Sequence, residues 1–188
     1  MPSSFKDYQN VRLVVDCTEI PVSQPKCLKC ALRCYSFYKK SFTCTCKYMI
    51  SVTPGGVIAH ISKGYGGRAS DKAIFEQSNV LDLLDPVSDA VMADRGFLID
   101  CVCENRLIDL VRPPFKKEKQ MTRRDAMRTQ KIASARVHVE RVIQRLKIFK
   151  ILTSKVHWTD VPLLDDIMVV LAGITNLSAP ILKPERFL

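Results

Sequence analysis

Two short apolar runs each lead directly into an aspartate, and this repeated pattern restricts the fold more than any other feature of the sequence. Val11 to Val15 precedes Asp16, and Ala90 to Ala93 precedes Asp94. Such runs, bounded by polar residues, are typical of strands buried on both faces of a sheet. If the two strands are parallel neighbours, both aspartates lie beyond their carboxyl ends, where open α/β sheets place active groups. The alternative is that Asp16 simply follows its strand into solvent.

Turn and helix signals divide much of the remaining chain. Two β-rich runs flank Pro54-Gly55-Gly56, which indicates an antiparallel hairpin. Ser70 is a suitable N-cap for the helix that should follow it. Residues 99–106 have the pattern of a short helix, and the next strand should end before Pro113 and Pro114, because proline cannot continue a strand ladder.

Two longer helices complete the pattern. From about Asp125 to Lys150 no residue breaks a helix, and apolar residues recur every three or four positions opposite a face rich in arginine. A final apolar helix is predicted from about Val161 to Leu177. The segment Pro21 to Cys46 has no clear periodicity and is interpreted as a connecting arm. This order of elements predicts an α/β fold: a mixed five-stranded sheet flanked by helices.

The excess positive charge falls in one segment. The chain carries a net charge of +10, and between Arg112 and Lys150 there are 13 Lys and Arg residues but three acids, so the rest of the chain is balanced. Concentrated positive charge attracts polyanions, and its neutralisation of phosphates releases counterions from nucleic acid. DNA is therefore the expected partner, and a solvated helix face is the alternative.

The composition argues against secreted and membrane proteins. The first ten residues, MPSSFKDYQN, lack the apolar region of a signal peptide, so a signal peptide is not expected, and the apolar stretch Ile167 to Ile174 is too short to cross a bilayer. The eight cysteines are accordingly interpreted as reduced thiols. A chain of 188 residues that is 47% hydrophobic can form one domain with a sizeable core.

Four sequence blocks carry a resemblance to a known family. They are VDCTEI, YGGRASDKAI, VMADRGF and KIASARVHVERVIQRLKIFKIL. In this order they resemble the DDE endonuclease domain of PIF/Harbinger-type transposases and their domesticated nuclease relatives, over about Val11 to Asn176. The resemblance implies an RNase H-like fold and a single catalytic domain over residues 1–188, with its core at about 11–177. The N-terminal DNA-binding region of the family is not expected in this chain.

The resemblance also implies a catalytic and metal-binding triad, formed by Asp16, Asp94 and Glu140. Carboxylates suit Mg²⁺, or Mn²⁺, because hard cations prefer oxygen ligands. Two such ions activate the attacking oxygen and stabilise the leaving oxygen when a phosphodiester is displaced. The implied enzyme is thus a metal-dependent DNA endonuclease of transposase type, with strand transfer as a further reaction. Three neighbouring acids repel one another without metal, so at least one should have a raised pKa.

The resemblance makes DNA the implied substrate, and the arginine face of the long helix would hold its backbone. The candidate residues are Arg123, Arg124, Arg128, Arg136, Arg141 and Arg145. A separate DNA-binding protein and a second copy of the chain are further candidate partners, and no membrane partner is expected. The implied location is the nucleus, with the cytoplasm as a second option.

Two other functions stay open at this point. A domesticated relative that no longer cuts would bind DNA through its basic helix alone. A zinc-stabilised interaction module would use the thiols of Cys27, Cys30, Cys34, Cys44 and Cys46, although their spacing is not that of paired C-x-x-C ribbons.

Three more polar residues have both a structural and a functional interpretation. Asp71 follows Ser70 and is favourable in a first helical turn, but it could also support the acidic site. His138 is two residues from Glu140 and is interpreted first as a packing residue. Glu19 is three residues after Asp16 and could reach the same pocket.

Overall fold

The computed structural model describes residues 1–36, 43–115 and 122–181, which form an α/β structure around one mixed sheet. Across these residues the sheet has six strands: β1 (Val11–Val22), β2 (Cys44–Val52), β3 (Ile58–Ile61), β4 (Tyr65–Gly66), β5 (Ala90–Met92) and β6 (Asp109–Val111). The helices are α1 (Leu28–Cys34), α2 (Asp71–Gln77), α3 (Asp100–Asn105), α4 (Arg123–Leu146), α5 (Lys150–Thr153) and α6 (Leu164–Leu177). Short 3-10 helices lie at Ser3–Phe5, Val80–Leu83 and Trp158–Leu163.

The sheet confirms the predicted mixed α/β architecture. Its strand order is β3-β2-β1-β5-β6, and β4 pairs separately with β2. The hairpin predicted around Pro54-Gly55-Gly56 is present, with Ile50 opposite Ile61 in the antiparallel pair. The expected number of five strands is wrong, because the two residues of β4 add a short sixth strand beside Cys46 and Lys47 of β2.

Strand β1 is longer than its apolar run predicts. The prediction that Asp16 follows the end of this strand is wrong, because β2 pairs with β1 from Val14 to Val22 and extends the ladder through the polar residues. The parallel pairing with β5 does end early, at Val14 and Met92. Asp16 and Asp94 therefore each lie two residues beyond the last paired positions of two parallel neighbours, as the sequence predicts for active groups.

The predicted connecting arm contains regular structure. Pro21 and Val22 belong to β1, Leu28–Cys34 form helix α1, and Cys44 begins β2. Residues 37–42 of this arm, and residues 116–121 of the basic segment, lie outside the described residues. The arm prediction is thus wrong, and the reason is that a seven-residue helix is too short to show clear apolar periodicity.

The helices cover both faces of the sheet, and successive residues of β1 contribute to opposite faces. One core contains Val14 and Met92 from the sheet together with Ile132 and Val139 from α4 and Met168 from α6. The other contains Leu13, Val15 and Val91 with Ile74 from α2 and Cys103 from α3. This alternation places Asp16, two residues after Val14, on the sheet face that α4 covers.

The two long helices are close to their predicted positions. Thr122 caps α4 by accepting a hydrogen bond from the Asp125 backbone N–H at 3.1 Å, and the helix ends at Leu146. The final helix begins at Leu164, later than predicted, because Pro162 lies in a preceding 3-10 helix. No helix in the described ranges has the length and apolarity needed to cross a bilayer.

Gly66 is expected to be essential for packing α1 against β4. A Cβ atom at this position would collide with the backbone carbonyl oxygen of Arg33. We expect Gly66→Ala to lower the free energy of unfolding by about 1–3 kcal/mol, the usual cost of overpacking. Urea denaturation measures the change. Gly173→Ala is the control, since that Cβ meets no atom within 4 Å and alanine favours the helix. Equal effects of the two substitutions would contradict this packing argument.

Candidate active site

A cleft of about 360 Å³ opens where β1 continues past the end of β5. After Met92 the chain turns away, and the Phe97 backbone N–H donates to the Asp94 carbonyl oxygen at 3.1 Å. In the described part of the chain, β1 is next covered on this side at Val22, which forms a bridge with Val156. The cleft is lined by Asp16, Cys17, Glu19, Lys47, Asp71, Asp94, Gly96, Phe97 and Lys147.

Asp16 and Asp94 share one cationic partner, the guanidinium of Arg136 on α4. An Arg136 nitrogen lies 3.0 Å from Asp94 Oδ1, and another lies 3.7 Å from Asp16 Oδ2. The Arg136 side chain is only 11% exposed. Each carboxylate also accepts the backbone N–H of the next residue, at 2.8 Å for Asp16 and 2.7 Å for Asp94. These bonds orient both carboxylates toward the same point.

The pKa of Asp16 is raised above its ordinary value. Burial is the largest cause, and the negative charges of Asp94 and Glu140 add to it, while Arg136 and the Cys17 N–H act in the opposite direction. The expected raised pKa is confirmed here, but desolvation contributes more than repulsion among the acids. The ionised form therefore costs stability: the contribution of Asp16 is fully favourable below its ordinary pKa and is lost as the pH rises through the raised value.

Glu140 lies on the same side of the sheet as Asp16, but unlike Asp16 and Asp94 it does not line the cleft. It follows Arg136 by one turn of α4, its side chain is exposed, and its charge acts on Asp16. Among the described residues, no three acidic, histidine or cysteine side chains are arranged to hold a metal ion. The structure thus brings Asp16 and Asp94 together and leaves Glu140 outside their contact.

The donor chemistry of this pair suits a divalent cation. The two carboxylates supply hard oxygen atoms, and they already converge on a single positive group. Glu140, the third acid that the resemblance implies, is near enough to influence Asp16 electrostatically. The site therefore fits the metal that the resemblance implies, with Arg136 in the position between the two aspartates.

The arginines predicted to bind DNA occupy different environments. Arg123, Arg124 and Arg128 line a pocket of about 940 Å³ at the start of α4, which is basic on balance and also contains Asp7, Tyr8, Asp125, Met127 and Lys131, with Lys131 paired to Asp7 at 2.7 Å. Arg141 is exposed, and Arg145 donates a hydrogen bond to the Ala179 carbonyl oxygen. Arg136 contacts the aspartates and is less exposed than Arg123, Arg124, Arg128 and Arg141.

The ion pair between Lys47 and Asp71 is the part of the cleft that sequence reasoning missed. Lys47 lies on β2 and is 2% exposed, and its Nζ is 2.6 Å from Asp71 Oδ1 and 3.3 Å from the Ala69 carbonyl oxygen. All nine residues of β2 are buried, so nothing in the local pattern distinguishes Lys47. Asp71 accordingly neutralises a buried ammonium group, which is a structural role.

Glu19 and His138 also have structural contacts. Glu19 accepts hydrogen bonds from the hydroxyl groups of Ser36 and Thr45, at 2.7 Å and 3.2 Å, and it is opposite Lys47 in the β1–β2 pair. It therefore lies on the other sheet face from Asp16, although both line the cleft. His138 Nε2 is 2.8 Å from Ser4 Oγ, and its ring is 5.4 Å from that of Phe5, consistent with packing.

The cysteines expected to form the zinc alternative are distributed between α1 and β2. Cys34, Cys44 and Cys46 are buried, whereas Cys27 is exposed and Cys30 is partly exposed. Burial raises the pKa of the Cys46 thiol to about 11. Within the described residues these thiols do not surround a common metal position.

Comparison with known families gives one match, to the DDE superfamily endonuclease family, over residues 15–176. Searches of curated proteins and of solved structures found no match. The matched residues extend from β1 to α6 and include Asp16, Asp94 and Glu140. The match confirms the resemblance carried by the four sequence blocks, and enzymes of this family generally use divalent metals to act on DNA. With most of its length matched, the chain belongs to the DDE superfamily endonucleases.

Proposed function

We propose that this chain is the catalytic domain of a metal-dependent DNA endonuclease, with Asp16, Asp94 and Glu140 as its catalytic and metal-binding residues. The observation that carries the proposal is the convergence of Asp16 and Asp94 on one cation at the open edge of β1. Family membership supports a nuclease or transposase type of activity.

In this proposal all three acids bind the metal, but Glu140 differs from the two aspartates in its starting position. Mg²⁺ or Mn²⁺ bound at the carboxylates would activate the attacking oxygen and stabilise the leaving oxygen of the phosphodiester. Asp16 and Asp94 are already oriented by the backbone N–H groups of Cys17 and Arg95. Glu140 is exposed on α4 and would complete the oxygen ligands by a change of side-chain conformation.

The basic pocket at the start of α4 is proposed to hold DNA outside the cleft. Because an α-helix rises about 1.5 Å per residue, Arg128 lies roughly 18 Å from Glu140 along the helix. A DNA backbone leaving the cleft in this direction would meet the side chains of Arg124, Arg128 and Lys131. Such phosphate contacts position a substrate without reading its sequence, so site choice would come from a partner protein or a second copy of the chain.

Plasmid nicking tests the proposed activity. The wild-type protein is incubated with supercoiled DNA in Mn²⁺ or Mg²⁺, and in parallel with a chelator. We expect nicked circles with metal and none with the chelator. A failure to nick in either metal would contradict the endonuclease assignment. Addition of DNA with free 3′-hydroxyl ends would also test strand transfer at the same site. The expected cellular location of such an enzyme is the nucleus.

A second candidate function is DNA binding without cleavage. The position of Arg136 between the two aspartates favours it, because the guanidinium already offsets part of their negative charge without metal. This candidate predicts salt-sensitive DNA binding and no metal-dependent nicking.

The basic pocket gives a prediction that holds for both candidates. We expect each of Arg124→Gln and Arg128→Gln to weaken DNA binding and to reduce the slope of log affinity against log salt by about 0.9, the value for one lost phosphate contact. Fluorescence anisotropy with a labelled duplex at several salt concentrations measures both effects. Arg106→Gln is the control, because Arg106 pairs with Asp82 at 3.3 Å away from this pocket. An unchanged slope in the pocket variants would exclude this surface as a phosphate site.

A further inference from the structure

Arg136 is held beside Asp16 and Asp94 by contacts that leave its guanidinium incompletely satisfied. A guanidinium has five N–H donors. Here one nitrogen is at hydrogen-bond distance from Asp94, the contact with Asp16 is longer at 3.7 Å, and the buried Nε has no hydrogen-bond partner among the described residues. Its side chain is 11% exposed, so water compensates little. The position is therefore defined mainly by the attraction of the two carboxylates.

A divalent ion and this guanidinium would bind the same two carboxylates. Asp94 Oδ1 lies 3.0 Å from Arg136 and also accepts the Arg95 N–H, Asp16 Oδ2 lies 3.7 Å from Arg136, and Asp16 Oδ1 accepts the Cys17 N–H. Two positive groups within a few ångströms of each other in a partly buried cleft also repel strongly. Arg136 and the metal are consequently alternatives at this site.

We propose that Arg136 is a built-in competitor of the metal: it offsets part of the negative charge of Asp16 and Asp94 in the metal-free protein and leaves them when a divalent ion binds. This inference rests on the proposed function, because it takes the same carboxylates as metal ligands. On this proposal, Glu140 stays outside the contact between the aspartates because the Arg136 side chain occupies the position beside them. Metal affinity is thereby lower than the acids alone would give.

Calorimetric titration of Mn²⁺ alone, without DNA, tests the competition. We expect Arg136→Gln to bind Mn²⁺ at least about tenfold more tightly than the wild type, because the competing charge is gone. Arg12→Gln is the matched control: it removes an Arg–Asp contact of the same 3.0 Å length, between Arg12 and Asp89, at the other end of β1. Its Mn²⁺ affinity should equal that of the wild type. Equal or weaker binding by Arg136→Gln would overturn the proposal.

Thermal unfolding supplies an independent measurement. In metal-free buffer Arg136→Gln should melt at a lower temperature than the wild type, since two carboxylates lose their counter-charge. Mn²⁺ should raise its melting temperature more than that of the wild type. If the variant does not fold even with Mn²⁺, the metal cannot replace the guanidinium and the proposal is wrong. Arg136→Lys retains the charge and should keep weak Mn²⁺ binding; binding as tight as in Arg136→Gln would also refute competition by charge.

The plasmid assay separates this proposal from the endonuclease proposal. If the wild type nicks DNA but Arg136→Gln has unchanged Mn²⁺ affinity, the competition is refuted and the nuclease stands. If Arg136→Gln binds Mn²⁺ more tightly but the wild type does not nick DNA, the competition is supported and the nuclease is refuted.

Discussion

Asp94→Asn is expected to reduce metal-dependent plasmid nicking by at least about a thousandfold, the scale typical of removing one essential catalytic group. Asparagine keeps the size of the side chain and an oxygen that can accept the Arg95 N–H, a bond of 2.7 Å in the wild type. It loses the negative charge that a hard divalent cation requires. The Asp94 side chain is 51% exposed, so we expect the fold to tolerate the change. Initial nicking rates and a melting curve measure the two effects.

Asp82→Asn provides the matched control for this substitution. Asp82 also forms an ion pair with an arginine, at 3.3 Å from Arg106, and is similarly exposed at 55%, but it lies away from the cleft on the 3-10 helix Val80–Leu83. The same chemical change there should leave nicking unaffected. Equal nicking by the wild type and by Asp94→Asn would show that the activity arises from another site or another protein.

Asp71→Ala is expected to produce the largest loss of stability, about 3–5 kcal/mol in the free energy of unfolding. The Lys47 side chain is 3% exposed, and its Nζ lies 2.6 Å from Asp71. Removal of the carboxylate takes away the ion pair of a buried ammonium group, whose other contacts include the Ala69 carbonyl oxygen at 3.3 Å. A buried charge without its counter-ion is far more costly than a missing surface contact. Urea denaturation at neutral pH measures the difference.

The same helix contains the comparison for this prediction. Glu76→Ala removes the exposed pair between Glu76 and Lys72, which are 3.8 Å apart on α2, and should cost no more than about 0.5 kcal/mol. A double variant with Lys47→Met and Asp71→Leu should recover most of the lost stability, because neither charge is then buried. The burial argument fails if Asp71→Ala costs no more than Glu76→Ala.

Local signals account for the parts of the fold that the sequence predicts correctly. The hairpin at Pro54-Gly55-Gly56 and the N-cap at Ser70 depend on a few adjacent residues. The length of β1 does not: Asp16 to Glu19 reads as polar chain, yet pairing with β2 keeps it extended. Strand formation depends on such distant partners more than helix formation does, so its limits are harder to predict.

The candidate site was predictable to a similar degree. Asp16 and Asp94 could be predicted from the sequence because each follows an apolar run, and the parallel pairing of those runs brings them together. The contact of Arg136 with the aspartates could not be predicted, because Arg136 is one of several arginines on an amphipathic helix. Only the packing of α4 on the sheet directs it to the aspartates. Its effect on metal binding depends on that placement. Membership of Glu140 in the triad stays a prediction.

The uncovered edge of β1 has a consequence for handling the protein. Backbone groups along an unpaired edge can accept a strand from another polypeptide, and charged side chains beside such an edge oppose this addition. Among the described residues, β1 has no strand partner on this side between Val14 and Val22, so the carboxylates of Asp16 and Asp94 beside it should oppose self-association. Variants in which several of these carboxylates are replaced by neutral side chains should therefore be stored at low concentration. They should be checked for self-association before a loss of nicking activity is assigned to the chemistry.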